Sequence, residues 1–497
     1  MLAGISAANR QATLDHTQTP MIAHIRELRE RGVTPYLSLG HKLGAAVDGE
    51  LLELLGPDLF ASNTWITGDA FHHALHESEV LAADAWGADQ SFYLVEGSSG
   101  GNHSLMLGWL RPGDKVIISR DIHWSLMVAL ILTGAQPVYV APRLDPAFDI
   151  GIGVDAGDIG AALREHPDAK LVVVVSPSFC GIASDLAAIA QTAHEFDVPV
   201  YVDEAWGPHL HFHPRLPASA MASGADAAVS SIHKILPAVS QGSVLHVRGN
   251  LLDRERIATA VTMMQTTSPL LPILATMDSA RKRMALQGVE SWERVIDLAE
   301  RAKREIRGIA GLGVIDAESL DLAPERADIT KLVVDVHELG ITGFEVERRL
   351  NDEFAIAIEL SDHRGIIANF NLGDTEQSVE VLVSALRSIA ETAKSSLTRR
   401  VVHRSSGAAV AVTEVTMTPR DAYFAPTREV PLELAAGETA AELVTPYPPG
   451  IPVLAPGDLI SQEKIDYLLA AAEEGRGNYG DRGATPVTIK IVDQPSR

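Results

Sequence analysis

The run LVVVVS at 171–176 constrains the fold of this chain more than any other stretch. An unbroken β-branched run has no face fit for water, so it reads as a strand covered on both sides. VPVYVDEAW at 198–206 reads the same way and ends in acids. Between the two, LAAIAQTAHEF has the apolar spacing of a helix. Helix-like and strand-like segments keep alternating from about residue 70 to 250. Helices are expected over 72–86 and in WSLMVALILTGA (124–135), and strands in SFYLV (91–95), PVYV (137–140) and DAAVSSIHK (226–234). The expected fold class is therefore α/β, an open, mostly parallel sheet with helices on both faces.

The rest of the chain reads as accessory parts. TPMIAHIRELRERGVT (19–34) is an early helix, and 1–65 form an N-terminal arm with first helices. The large domain is expected over 66–285. A long amphipathic helix at 285–310 leads into a smaller α+β domain over 286–398, with KLVVDV (331–336), a helix near 343–352 and IIANFNL. SSLTRRVVHRSSGAAV (395–410) reads as a linker, and 411–497 as a C-terminal domain carrying the proline-rich PYPPGIPVLAPGD (446–458).

Composition narrows the function classes. The net charge is −24, which speaks against a nucleic-acid binder. Cys180 is the one cysteine, so no disulfide can form within the chain and a reducing cytoplasm is expected. The N-terminus lacks a signal-peptide core, and the apolar runs are too short to span a membrane.

Open parallel sheets bind ligands at the carboxyl ends of their strands. Three polar clusters follow strands here. The first, GSSGGN (97–102), offers backbone approach at Gly97, Gly100 and Gly101, hydroxyls at Ser98 and Ser99, and a helix start. It lacks the Gly-Lys-Ser/Thr of a nucleoside-triphosphate loop and the spacing of a dinucleotide fingerprint. The second is Asp203 with Glu204, which reads either as a capping acid or as the counter-charge of a cationic ring nitrogen or a metal. The third is Lys234, set among Ile232, Ile235 and Leu236. A lysine there either snorkels or, with a lowered pKa, binds a carbonyl.

Two other constellations compete. His72 and His76 on a helix, and His209, His211 and His213 alternating on a possible strand, have zinc-compatible spacing and would suit a metal-dependent hydrolase. Cys180 reads as a nucleophile or as a buried inert thiol. The three strand-end clusters together are more specific. A phosphate cup, an acid and a lysine describe a ligand with a phosphate, a ring nitrogen and an aldehyde, which is pyridoxal 5′-phosphate (PLP), and no metal is called for.

VDEAWGPHLHFHPRLPASAMASGADAAVSSIHKILPAVSQGSVLHV also resembles the core of the ornithine/lysine/arginine decarboxylases, fold type I PLP enzymes with an aspartate aminotransferase-like large domain. The likeness extends to LGHKLG, FYLVEGSSGGNHSLML, RDIHWSLMVALILTGAQPVYV, MQTTSPLLPILATMDSAR and TPYPPGIPVLAPGD, nearly the whole chain. No receiver-like wing domain is expected, so large acid-induced assemblies are not implied.

The resemblance implies roles. Lys234 would bind the aldehyde of PLP, and Asp203 would pair with its ring nitrogen. Ser98, Ser99, Gly100 and Ser231 would hold the phosphate. His123 would stack on one ring face and Ala205 on the other, with Trp206 beside it. His233 would contact substrate or phosphate. Thr267 and Ser268 would reach the phosphate of a neighbouring subunit, making a homodimer or larger assembly. Leu43, Trp124, Phe179-Cys180 and Asp458 depart from the family pattern and bear on substrate choice. Asp458 and Glu442 are candidate partners for a substrate cation. The implied reaction is decarboxylation of a basic amino acid in polyamine biosynthesis. Arginine, giving agmatine and carbon dioxide, is favoured, with lysine and ornithine close. An aminotransferase or oxidase on the same fold is the alternative, and the intact Lys234 and Asp203 argue against a catalytically silent homologue.

Overall fold

A computed structural model describes residues 14–32, 36, 40–56, 68–148, 150–393, 407–447, 451–473, 477–478 and 487–493. Helices α1 (Pro20–Glu30), α2 (Gly49–Leu55) and α3 (Asp69–Trp86) precede the main sheet. Then strands and helices alternate: β1 (Gln90–Leu94), α4 (Gly97–Trp109), β2 (Lys115–Ser119), α5 (Trp124–Thr133), β3 (Gln136–Val140), α6 (Ala156–Glu165), β4 (Leu171–Val175), α7 (Leu186–His194), β5 (Val200–Asp203), β6 (Ala227–Ser230), α8 (Ile232–Ile235) and β7 (Ser243–Val247).

The seven strands lie in the order β1-β7-β6-β5-β4-β2-β3, and β7 alone runs against its neighbours. The side-chain period of two splits the valine run between two cores. Leu171 and Val173 pack with Val116, Tyr201 and Val229 on one face; Val172 and Val174 pack with Ile117, Val200 and Val202 on the other. This sheet is the buried, double-faced one that the β-branched runs require.

After α9 (Arg254–Met264), the 37-residue α10 (Leu271–Arg307) carries the chain into a four-stranded antiparallel sheet. Its strands are β8 (Gly313–Ile315), β9 (Lys331–Asp335), β10 (Leu360–Ser361) and β11 (Gly365–Asn369), in the order β10-β11-β9-β8, with α11 (Gly343–Phe354) and α12 (Glu376–Ala393) alongside. The helix expected at 285–310 thus begins fourteen residues earlier, where Pro272 at its first turn suits a start. On β9, Leu332 and Val334 face the large core, while Val333 faces a smaller cluster with Cys180, Ile182, Ile315 and Ile367. Lys331 shares the parity of Val333, so this strand meets the loop after β4.

Residues 395–406 of the expected linker lie outside the described residues, as do 448–450 of the proline-rich segment, Leu39 of LGHKLG and 57–65 of the N-terminal part. α13 (Gly407–Val410) and α14 (Pro419–Phe424) follow, then the β12 (Thr427–Pro431)–β15 (Thr488–Val492) pair, with β13 (Pro446–Tyr447), α15 (Gln462–Glu473) and β14 (Gly477–Asn478) between them. Among the described residues, no helix is long and apolar enough to cross a membrane.

One buried cation docks this C-terminal part. Arg120, just after β2, donates to Asp458 Oδ2 (2.8 Å), Pro452 O (2.6 Å) and Val453 O (3.0 Å). Lys464 Nζ lies 3.5 Å from the same carboxylate, and all three side chains are almost fully buried. Asp458 is therefore spent on docking and does not face a substrate. Glu442, the other candidate, accepts from the Lys490 amide at 2.6 Å. Arg120→Met leaves Asp458 only the longer Lys464 contact and strips the donors from Pro452 O and Val453 O, and is expected to cost about 3 kcal/mol. Urea unfolding reads this directly, and an unchanged midpoint would show that the pair carries no docking energy.

Candidate active site

β5 ends on Asp203, whose side chain is 3% exposed. Its Oδ2 accepts from Asn102 Nδ2 (3.0 Å) and its Oδ1 from the Ala205 amide (3.1 Å). No lysine, arginine or histidine forms an ion pair with it among the described residues. A buried carboxylate without a bound counter-ion is costly unless a cation completes it. Asn102 sits on the second turn of α4, where Tyr201 Oη donates to its Oδ1 at 2.6 Å. That bond fixes the amide, so Nδ2 donates both to Asp203 and to Ser125 Oγ (2.9 Å).

The chain of bonds then reaches His123, the N-cap of α5. Ser125 Oγ, already accepting from Asn102, has its proton left for His123 Nδ1 at 2.8 Å, and the Ser125 amide points at the same nitrogen (3.3 Å). Nδ1 is therefore an acceptor, and the imidazole is neutral with its proton on Nε2. Burial pushes its pKa down to about 4, opposed by Asp203. His233 is also held neutral. Its Nδ1 donates to Gly242 O at 2.9 Å, and burial lowers its pKa.

Lys234 lies in the short helix α8 that follows β6. It stays open to solvent on one side. The chain packed around the rest of it lowers its pKa, with Asp203 and Glu359 pulling the other way. Its Nζ stands 4.0 Å from the ring centroid of Trp206, a cation–π distance.

GSSGGN is the opening of α4 itself rather than a turn before it. A side chain on Gly101 would run into Val229 and Leu94, so this glycine lets α4 lie flat on the sheet. Ser98 Oγ is 2.6 Å from Ser231 Oγ and 3.4 Å from Ser243 Oγ. No side chain caps α4, and the Ser98 and Ser99 amides meet no acceptor among the described residues. Hydroxyls and open amides at one helix start make an anion-receiving set.

The other expectations resolve as follows. Thr267 and Ser268 sit exposed between α9 and α10, with no bond to this chain's own serine cup among the described residues. Ala205 is half-buried next to Asp203. Trp124 opens α5, and Leu43 lies in a short 3-10 turn. Glu204 is buried, accepting from the Ala220 amide (2.7 Å) and Ser230 Oγ (3.2 Å), and burial raises its pKa to about 8. It is a neutral structural acid.

The histidines expected to alternate on a strand instead form a 3-10 turn and diverge. His209 pairs with Asp328 (3.0 Å), His213 with Glu293 (2.8 Å), and His211 with Ser219 (3.1 Å). His72 and His76 stay exposed on α3. Among the described residues, no three His, Cys, Asp or Glu side chains gather as a metal-binding set. Cys180 is buried among Ile182, Ile315 and Leu360, and burial pushes its thiol well above the ordinary range.

These groups converge at the carboxyl ends of parallel strands, with an anion cup, a buried acid and a lysine. A family model described as "Orn/Lys/Arg decarboxylase, major domain" matches residues 19–324. The chain belongs to this family. The C-terminal domain of the same family matches 403–478. An arginine decarboxylase of Bacillus subtilis is 36% identical over 96% of this chain and 98% of its own length. One of Halalkalibacterium halodurans is also 36% identical, over 96% and 98%. The solved structure of a lysine decarboxylase from Francisella novicida superposes with a TM-score of 0.82 over 96% of this chain and 81% of that one, at 21% identity. The large domain is thus PLP-dependent transferase-like, fold type I.

Sequence reasoning missed Tyr201, Asn102 and Ser125 as the groups that orient Asp203 and His123. For Tyr201 a signal existed. It stands two residues before Asp203 on one strand, and so on the same face. Asn102 and Ser125 are joined only by tertiary packing of α4 on α5. Lys331, whose Nζ lies 4.2 Å from the Trp206 ring centroid, had no signal beyond opening an apolar strand.

Proposed function

We propose that this family member decarboxylates a basic amino acid, arginine foremost, with PLP as cofactor, supplying polyamine synthesis. The observation that carries the reading is the buried Asp203, fixed by Asn102 and the Ala205 amide, with Lys234 approaching the same space from α8. The donor set fits PLP. Ser98, Ser99, Ser231 and the start of α4 would hold its phosphate, with Gly100 allowing close approach. Lys234 would hold its aldehyde, Asp203 its ring nitrogen, and His123 and Ala205 its two faces. Trp206 and His233 would line the substrate side.

When bound, PLP supplies the electron sink into which the Cα–carboxylate bond can break. The chain's own groups set the conditions. Asp203, buried and fixed by Asn102 and the Ala205 amide, would keep a proton on the ring nitrogen. His123 stays neutral, so it adds no charge against that nitrogen. Lys234, with its lowered pKa, would offer a free amine to the cofactor's aldehyde. The two relatives described above, each 36% identical over 96% of this chain, are named arginine decarboxylases, which favours arginine over lysine and ornithine.

The shared phosphate site is part of the same reading. Thr267 and Ser268 lie exposed and apart from their own cup, as residues serving a second copy would. The lone buried thiol and the absence of membrane-length helices among the described residues agree with a cytoplasmic enzyme.

The test is an end-point assay on PLP-loaded protein with arginine, lysine and ornithine offered separately. Agmatine with equal carbon dioxide is expected from arginine. A keto acid would point to transamination instead, and no turnover with any of the three would overturn the substrate class. In the same preparation, sedimentation at low micromolar concentration is expected to show a dimer or larger. A fully active monomer would contradict the shared site.

A further inference from the structure

Asp458 and Glu442 are held by their own neighbours, so the side-chain cation of a basic substrate finds no carboxylate in them. Burial lowers the pKa of Lys234, and two carboxylates oppose it, Asp203 and Glu359. Asp203 belongs to the ring nitrogen. Glu359 stands just before β10, at the end of the small sheet where Lys331 opens β9 and Asn369 closes β11 as its cross-strand partner. This end of the sheet meets the large domain at Trp206. Lys331 Nζ lies 4.2 Å from the Trp206 ring centroid, and Lys234 Nζ lies 4.0 Å from it. Glu359 is exposed, and its Oε2 accepts from Asn369 Nδ2 at 3.0 Å. Asn369 Oδ1 in turn accepts from Lys331 Nζ at 2.7 Å, which settles the orientation of the amide and turns its Nδ2 to Glu359. Lys331 is itself fixed. It is 2% exposed, and its stem runs over Gly181, where a Cβ would come within 2.5 Å of Lys331 Cγ. The outer end of this row is an acid with no ion pair among the described residues, and its Oε1 accepts no hydrogen bond there.

We propose that Glu359 is a specificity-determining residue of this site: its carboxylate, aimed by Asn369 and Lys331, receives the side-chain cation of a basic amino acid whose α-amine is held at Lys234. The proposal rests on the reading of the protein as a PLP-dependent decarboxylase of basic amino acids. The span suits an arginine. The bonds from Lys331 to Glu359 cross one amide group, so Lys331 Nζ and Glu359 Oε2 are at most about 8 Å apart. An extended arginine carries its guanidinium carbon about 6 Å from Cα, a length of the same order. Asp328 is a stronger counter-charge to Lys331 than Glu359 is, so Glu359 is not spent on that lysine. The chemistry suits a guanidinium best. Its planar fork binds both oxygens of a carboxylate, and Glu359 has Oε1 open and a lone pair left on Oε2. The ammonium of lysine or ornithine would make a single point contact there.

The test reads binding as well as turnover. The PLP-loaded full chain is titrated by calorimetry with agmatine, which carries the guanidinium, and with pentylamine, which carries an amine on a plain alkyl chain. Glu359→Gln keeps an acceptor for Asn369 Nδ2 and removes the charge. It is expected to raise the Kd of agmatine on the order of 10–100-fold and to leave that of pentylamine within about twofold. In turnover the same variant is expected to raise KM for arginine by a similar factor, with kcat changing less. Equal agmatine affinity in parent and variant would overturn the proposal. An equal loss for both amines would show a structural role and overturn it too. The visible absorbance of bound PLP checks that the variant is folded and loaded. Should Glu359→Gln fail to load, Glu359→Asp decides. Drawing the carboxylate back by one methylene is expected to weaken agmatine about three- to tenfold and pentylamine not at all, and an unchanged agmatine Kd would overturn the proposal. A parent enzyme that turns over none of arginine, lysine and ornithine would instead overturn the decarboxylase reading on which the proposal rests.

Discussion

Lys234→Ala is expected to abolish the visible absorbance that PLP gives on loading, and to lower turnover by on the order of 10⁴-fold or more. The site offers no substitute amine. Lys331 is the other lysine beside Trp206, but it is buried and donates to Asn369. Among the described residues, no other lysine lies over the Trp206 ring. Lys234 is open to solvent on one side, so alanine there leaves the packing of β6 and β7 intact. Borohydride reduction followed by peptide mapping gives a second readout, since the cofactor mass should move off the Lys234 peptide and onto no other. A retained absorbance band, with cofactor mass on another lysine, would sink the assignment.

Asp203→Asn is expected to leave the fold and PLP binding nearly intact while cutting kcat by on the order of 10³–10⁴-fold. Asparagine keeps the shape and one acceptor for the Asn102 amide or the Ala205 N–H. What it loses is the negative charge. Each tenfold loss in rate corresponds to about 1.4 kcal/mol of transition-state stabilisation, so the expected loss is about 4–5 kcal/mol. That is a credible size for removing a charge from a buried site of low polarity. The measurement is kcat on the loaded variant, with its visible spectrum as a check on occupancy. Near-normal turnover would mean that another group keeps the ring nitrogen protonated.

The sheet was legible because its strands are buried on both faces. A double-faced strand leaves a β-branched run, as at 171–175, that no helix or exposed strand would carry. Asp203 and Lys234 stood out for a related reason. Each is a charge placed at the end of an apolar strand, where water is scarce and a partner is required. The histidines at 209–213 misled because spacing alone does not fix the backbone. Three alternating imidazoles on a strand would share a face, but the 3-10 turn from Leu210 to Phe212 sends them to Asp328, Ser219 and Glu293. Asp458 misled differently. Its partner Arg120 lies 338 residues earlier in the chain, so no local pattern marks the pair.

The sequence alone determined the α/β class, the acid and the lysine at strand ends, the serine–glycine cup, and the family those motifs resemble. These depend on local periodicity and on where a charge interrupts an apolar run. Tertiary structure decided which polar groups support them. Asn102, Ser125 and Tyr201 come from α4, α5 and β5 to fix one carboxylate and one imidazole. Lys331 comes from a separate sheet to share Trp206 with Lys234, through space that Gly181 leaves open. Hydrogen bonds and charges act over a few ångströms, and only the folded chain brings residues from β5, α8 and β9 that close.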